Sequence, residues 1–156
     1  MFRQMRRVGH ALFAEERDRV LTKAPRGVLA VHGEDGYPYA FPMDFLYLDG
    51  KLYFHCAKVG HKIDALAADD RVSFCVMDEG YRREGEWAFN IRSVVIFGRM
   101  AKVEDPDRAR QIARQLGLKY YPTAQAEEAE LEKAMDRVQI LELTIDHITG
   151  KLVNES

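Results

Sequence analysis

Three apolar runs, joined by turns too short for anything but hairpins, constrain this chain more than any other feature. Gly27-Val-Leu-Ala-Val-His-Gly33 leads through Glu34-Asp-Gly36 into Tyr37 to Leu48, where Phe41, Met43, Phe45 and Tyr47 alternate on one face. Asp49-Gly50 then turns the chain into Lys51 to Ala57. Connections of two or three residues join antiparallel neighbours, because a parallel pair needs a crossover of about a dozen residues. Pro42 sits inside the second run, and proline has no N–H for a ladder. That strand therefore has an open side or a bulge at Pro42, which a barrel split at this point provides.

The remaining pattern adds strands and marginal helices. Phe13 to Ala24 reads as a first helix and Arg71 to Met77 as a strand. Asp78 to Ala88 is polar, glycine-punctuated and reads as a loop carrying Trp87. Phe89 to Val103 is a long strand with a bend or bulge at Gly98. Asp105-Pro106 supplies an N-cap and first-turn proline to a helix that Gly117 is expected to stop. Thr123 opens another helix, and Val138 to Ile148 forms the last strand. The predicted fold is mainly β (α+β): a six-stranded antiparallel split β-barrel with helices at its margins, as one domain over residues 1–156.

Chemistry concentrates where the third run meets a short helical pattern carrying Ile63, Leu66 and Ala67. His55, Lys58, His61 and Lys62 gather at this strand-to-helix junction. Free N–H groups at a helix start, the positive end of its dipole and a lysine together make an anion site, typically for phosphate. A cation in the first turn is disfavoured by the dipole unless an anion shares the site, which argues for Lys62 as a phosphate ligand. His55 is either a hydrogen-bonded barrel histidine or a site residue. His61 either donates to the phosphate or caps the turn. His55 and Cys56 are adjacent and point to opposite faces of a strand, so no metal set forms. The net charge of −2 argues against a general nucleic-acid binder. No run is long enough for a membrane span, and Cys56 and Cys75 read as reduced thiols, so a cytoplasmic protein is expected.

In this order, the hairpin, the Pro42-bearing strand and the His55–Lys62 junction resemble the FMN-binding split-barrel superfamily. The nitroimidazole-resistance (Nim) proteins and pyridoxamine 5'-phosphate oxidase-related proteins are the most similar members. The matching stretches are Gly36-Tyr-Pro-Tyr-Ala-Phe-Pro42 with Phe45 and Tyr47, and Leu52-Tyr-Phe-His-Cys-Ala57 with Gly60, Lys62 and Leu66. Arg92-Ser-Val-Val-Ile-Phe-Gly98 and Lys119-Tyr-Tyr-Pro122 match as well. The resemblance implies a homodimer with FMN in the subunit interface. In that picture the backbone of Met43, Asp44 and Phe45 meets the isoalloxazine edge. His55, Cys56 and Ala57, with His61 and Lys62, hold ribityl and phosphate. Arg92 and Ser93 contact the flavin from the second subunit, and Trp87 covers a flavin ring or packs at the interface. No Trp/Arg substrate segment follows Val153-Asn-Glu-Ser156, so vitamin B6 oxidation is not expected. The implied activity is reduction of a small flat acceptor, with nitro-aromatic compounds as the class. A non-catalytic flavin carrier or redox sensor, and a barrel using haem or deazaflavin, are the alternatives.

Overall fold

The computed structural model describes residues 1–121 and 123–155; Pro122, the last residue of the tail motif, and Ser156 lie outside them, as do the side chains of Glu127 and Glu155. The elements are α1 (Ala14–Lys23), β1 (Arg26–His32), β2 (Pro38–Asp44), β3 (Leu46–Leu48), β4 (Lys51–Ala57) and α2 (His61–Ala68). β5 (Arg71–Met77), β6 (Tyr81–Arg82), β7 (Phe89–Lys102), α3 (Pro106–Tyr120), α4 (Ala124–Ala134) and β8 (Val138–Glu155) follow.

One antiparallel sheet runs in the order β2-β1-β5-β7-β8-β4-β3, with β6 attached to β7. Its two end strands, β2 and β3, are consecutive in the chain and separated by Phe45 alone. The sheet must therefore curl until its edges meet at that residue. This is the split barrel. Pro42 stands opposite Val28 on β2, an edge strand whose other side makes no ladder among the described residues, so its missing N–H is tolerated.

The sheet has eight strands where six were expected. The expected single strand from Tyr37 to Leu48 breaks at Phe45, because its two halves pair with opposite edges, β1 and β4. Tyr81-Arg82 in the expected loop pairs with Asn90 and Phe89. The last strand continues past Ile148 to Glu155 alongside β7. The expected bulge is present, as a register shift between Phe97 and Gly98. In the Asp49-Gly50 turn both residues have positive φ, 50° and 74°, as a tight two-residue hairpin demands.

Phe45, Phe54 and Phe74 form the fully buried centre, with Phe74 edge-on to each of the other two at 5.1 Å. α1 adds Val20, Leu21 and Ala24 to this core. α3 covers the opposite face of β4, packing Ile112 against Tyr53 and Ile140. It runs through Gly117 to Tyr120 instead of stopping there. Gly117 is buried, and hydrogen bonds from Lys119 and Tyr120 to other segments hold the extra turn.

Candidate functional site

β4 delivers its residues to two faces by simple alternation. Cys56 points into the core and burial raises its thiol pKa, whereas His55 and Ala57 stand on the exposed face. The His55 ring borders a small cavity of about 80 Å³ with Leu116, Tyr121, Leu131 and Met135 of the α3–α4 hairpin. Packing around the ring lowers the His55 pKa; the charge of Lys62 pushes the same way and that of Asp44 opposes it. The neutral imidazole is thereby favoured.

After β4 the chain turns at Gly60, whose φ of 127° suits glycine, and α2 begins. Among the described residues, no side chain caps this helix start. The Gly60 carbonyl accepts from Ile63 and Asp64, while the N–H groups of His61 and Lys62 have no acceptor among the described residues. His61 stacks on Tyr39 of β2, with ring centroids 4.2 Å apart and planes 11° from parallel. Lys62 lies partly buried against the same strand. Its ammonium is 3.4 Å from Met43 Sδ and 4.7 Å from the Phe41 ring centroid. It makes no ion pair among the described residues.

The end of β2 is held differently. Asp44 accepts from Arg26 Nε at 2.6 Å. Phe45 is fully buried, and its backbone is engaged within the chain: its N–H donates to Tyr120 Oη at 2.9 Å and its carbonyl accepts from Lys119 Nζ at 2.8 Å. Burial lowers the Lys119 pKa to about 8, against the charge of Asp44.

Arg92 and Ser93 occupy another part of the barrel. Arg92 lies 3.5 Å from Asp78 Oδ2, 3.9 Å from Glu16 Oε1 and 5.0 Å from the Tyr81 ring centroid. It lines a cavity of about 540 Å³ between α1 and the Asp78–Tyr81 turn, walled also by Ala24, Pro25 and Met77. Ser93 faces Met77 and Lys151 in the ladders. Trp87 is 73% exposed. Met43 and Lys62 thus meet at the α2 start with His61 stacked on Tyr39 nearby, whereas Asp44 is bonded to Arg26 and His55 borders the α3–α4 cavity. No hydrogen bond or ion pair joins them to Arg92, Ser93 or Trp87 among the described residues.

The cavity walls other than Arg92 lay outside the expected site, and the α3 end entered the sequence reading only as a matching stretch with no role assigned. Lysine and tyrosine in the last turn of a helix, just before a proline, were the available signal.

With this geometry in view, the chain can be compared with known proteins. The family described as pyridoxamine 5'-phosphate oxidase matches residues 14–152. The chain belongs to this family. No curated protein matches the chain. Among solved structures, a protein described as a 5-nitroimidazole antibiotic-resistance protein from Bacteroides thetaiotaomicron is 20% identical, with a TM-score of 0.76, covering 92% of this chain and 87% of its own. An FAD-binding protein from Mesorhizobium loti is 26% identical, with a TM-score of 0.65, covering 92% and 96%. An FAD- and haem-binding protein from Mycobacterium smegmatis is 26% identical, with a TM-score of 0.72, covering 90% and 71%. These likenesses place the pyridoxamine 5'-phosphate oxidase-like split barrel across nearly the whole chain. Among the described residues, no helix is long and apolar enough to cross a membrane.

Proposed function

We infer that this protein binds FMN, with the flavin phosphate at the start of α2, and acts as an oxidoreductase toward a small flat acceptor. Lys62 carries the reading. It is a partly buried ammonium in the first turn of a helix, and its hydrogen-bond partner is a thioether sulfur at 3.4 Å, a weak acceptor. A phosphate there would satisfy the ammonium and the N–H groups of His61 and Lys62, and would favour the dipole. Asp64, in the same turn, is exposed and makes no ion pair with Lys62 among the described residues.

Arg92 and Lys62 share no hydrogen-bond or ion-pair partner among the described residues, which fits a homodimer with the flavin at the subunit interface, where one chain supplies each group. The sheet surface agrees. Val28, Cys75 and Val95 stand in line across β1, β5 and β7 on the face away from the core. Val28 is 44% and the neighbouring Met77 58% exposed. A bound flavin supplies the redox chemistry, and the chain's own residues bind it, orient it and exclude water. Likeness to the nitroimidazole-resistance protein makes nitro-aromatic compounds the first acceptor class to assay.

The visible spectrum of the purified protein, reconstituted with FMN and desalted, tests this reading. A retained flavin spectrum with acceptor-dependent reoxidation faster than free FMN is expected. A retained flavin without that acceleration indicates a carrier, a haem spectrum indicates the haem alternative, and a colourless protein overturns the flavin reading.

A further inference from the structure

We propose that Lys119 and Tyr120, in the last turn of α3, are positioning residues that tie the Arg92 cavity to the Lys62 anion site. The inference rests on the FMN reading above. Lys119 Nζ donates to the carbonyls of Ala24 and Phe45, each at 2.8 Å. Tyr120 Oη donates to the Pro25 carbonyl at 2.6 Å and accepts the Phe45 N–H at 2.9 Å. Three carbonyls and one N–H from two separate segments thus converge on one helix turn.

Neither segment can satisfy these groups by itself. Phe45 is where the chain passes from one sheet edge to the other, so it lacks a ladder partner. Ala24 and Pro25 form the link between α1 and β1. Ala24 and Phe45 are buried, so their carbonyls would be costly unpaired and the α3 end removes that cost; Pro25 is exposed.

The two segments belong to different halves of the proposed site. Ala24 and Pro25 wall the cavity that holds Arg92. Phe45 directly follows Met43 and Asp44, and Met43 Sδ is the contact of Lys62. Arg26, next to Pro25, closes the loop through its 2.6 Å bond to Asp44. The α3 end is itself fixed, by buried Ile112 and Leu116 and by the Asp105 cap at its start. Lys119 and Tyr120 contact backbone atoms and the Phe45 ring, so their effect on a ligand passes through the positions of Met43, Asp44, Ala24 and Pro25.

A double-mutant cycle on the full chain tests this. FMN dissociation constants are measured for wild type, Tyr120→Phe, Lys62→Ala and the double variant, with amide exchange at Phe45 followed in parallel. Tyr120→Phe should raise the FMN constant about five- to tenfold and speed Phe45 exchange. Lys62→Ala should cost at least about threefold less in the Tyr120→Phe background than in wild type, because the two residues then act on one geometry without touching. A general loss of stability would leave the two effects multiplicative. Multiplicative effects, or an unchanged FMN constant in Tyr120→Phe, overturn the proposal. If Tyr120→Phe does not fold, Lys119→Met carries the same cycle with the same criteria. Wild type that binds no FMN overturns the flavin reading and this inference together; wild type that binds FMN with multiplicative variants overturns the inference alone.

Discussion

Lys62 and Lys119 are both partly buried ammonium groups beside a phenylalanine ring, but they stand at opposite kinds of helix end. Lys119 closes α3 at the negative end of its dipole, with two carbonyl acceptors at 2.8 Å and the Phe45 ring centroid at 4.0 Å. Lys62 opens α2 at the positive end, with a sulfur at 3.4 Å and the Phe41 ring centroid at 4.7 Å. The first lysine is completed by its own chain and serves the fold. The second has a sulfur as its hydrogen-bond partner, and the proposed reading completes it with an external anion. On that reading, acceptors and dipole separate a structural lysine from a binding one, where burial and aromatic contact do not.

The rings beneath the two lysines give the largest contrast. Phe45→Ala should cost about 3–5 kcal/mol in urea unfolding of the flavin-free protein, since it empties the core and undercuts Lys119. Phe41→Ala, at a partly exposed position, should cost well under about 2 kcal/mol. Equal costs would break the comparison.

The lysines themselves come next. Lys119→Met removes the Ala24 carbonyl's donor and the closer of the two donors to the Phe45 carbonyl, the other being Tyr120 Oη at 3.0 Å, and should destabilise the flavin-free fold by about 2 kcal/mol. Lys62→Met should leave that stability unchanged or raise it by about 0.5 kcal/mol, because it removes a cation from the wrong end of a dipole. The same urea titrations decide.

A pH titration sharpens the contrast at Lys119. Its folded pKa of about 8 lies below the ordinary lysine value, so the unfolded chain binds the extra proton between about pH 8 and 10.5. This group's contribution to stability should therefore rise with pH across that window, and the rise should vanish in Lys119→Met. Side-chain NMR should show Lys119 titrating near 8. A midpoint above 10 would mean that its ammonium is not desolvated.

The smallest effect concerns simple anions. Inorganic phosphate should raise the melting temperature by about 1–2 °C through the α2 start, and Lys62→Ala should remove the rise. A rise that survives the substitution would place the anion elsewhere.

Much of this was legible in the chain because it depends on local chemistry. Turn lengths and glycines gave the hairpins, Pro42 gave an edge, and the helical spacing after Gly60 put Lys62 in the first turn of α2. What was not legible depends on which edge a strand meets. The break at Phe45 shows no local signal, since Tyr37 to Leu48 alternates without interruption. The ladder changes partner there because the sheet closes on itself. The helix passes Gly117 for a similar reason, as bonds to distant carbonyls outweigh a local stop signal. Arg92 likewise pairs with Asp78 and Glu16, partners from other elements that no local pattern announces.

The most direct test of the central claim compares FMN with riboflavin, which differs only by the phosphate. Fluorescence titrations of wild type should show FMN binding well ahead of riboflavin. Lys62→Ala should raise the FMN constant about tenfold to a hundredfold and barely move that of riboflavin. Equal losses for the two ligands, or equal affinities in wild type, would contradict a phosphate site at the start of α2.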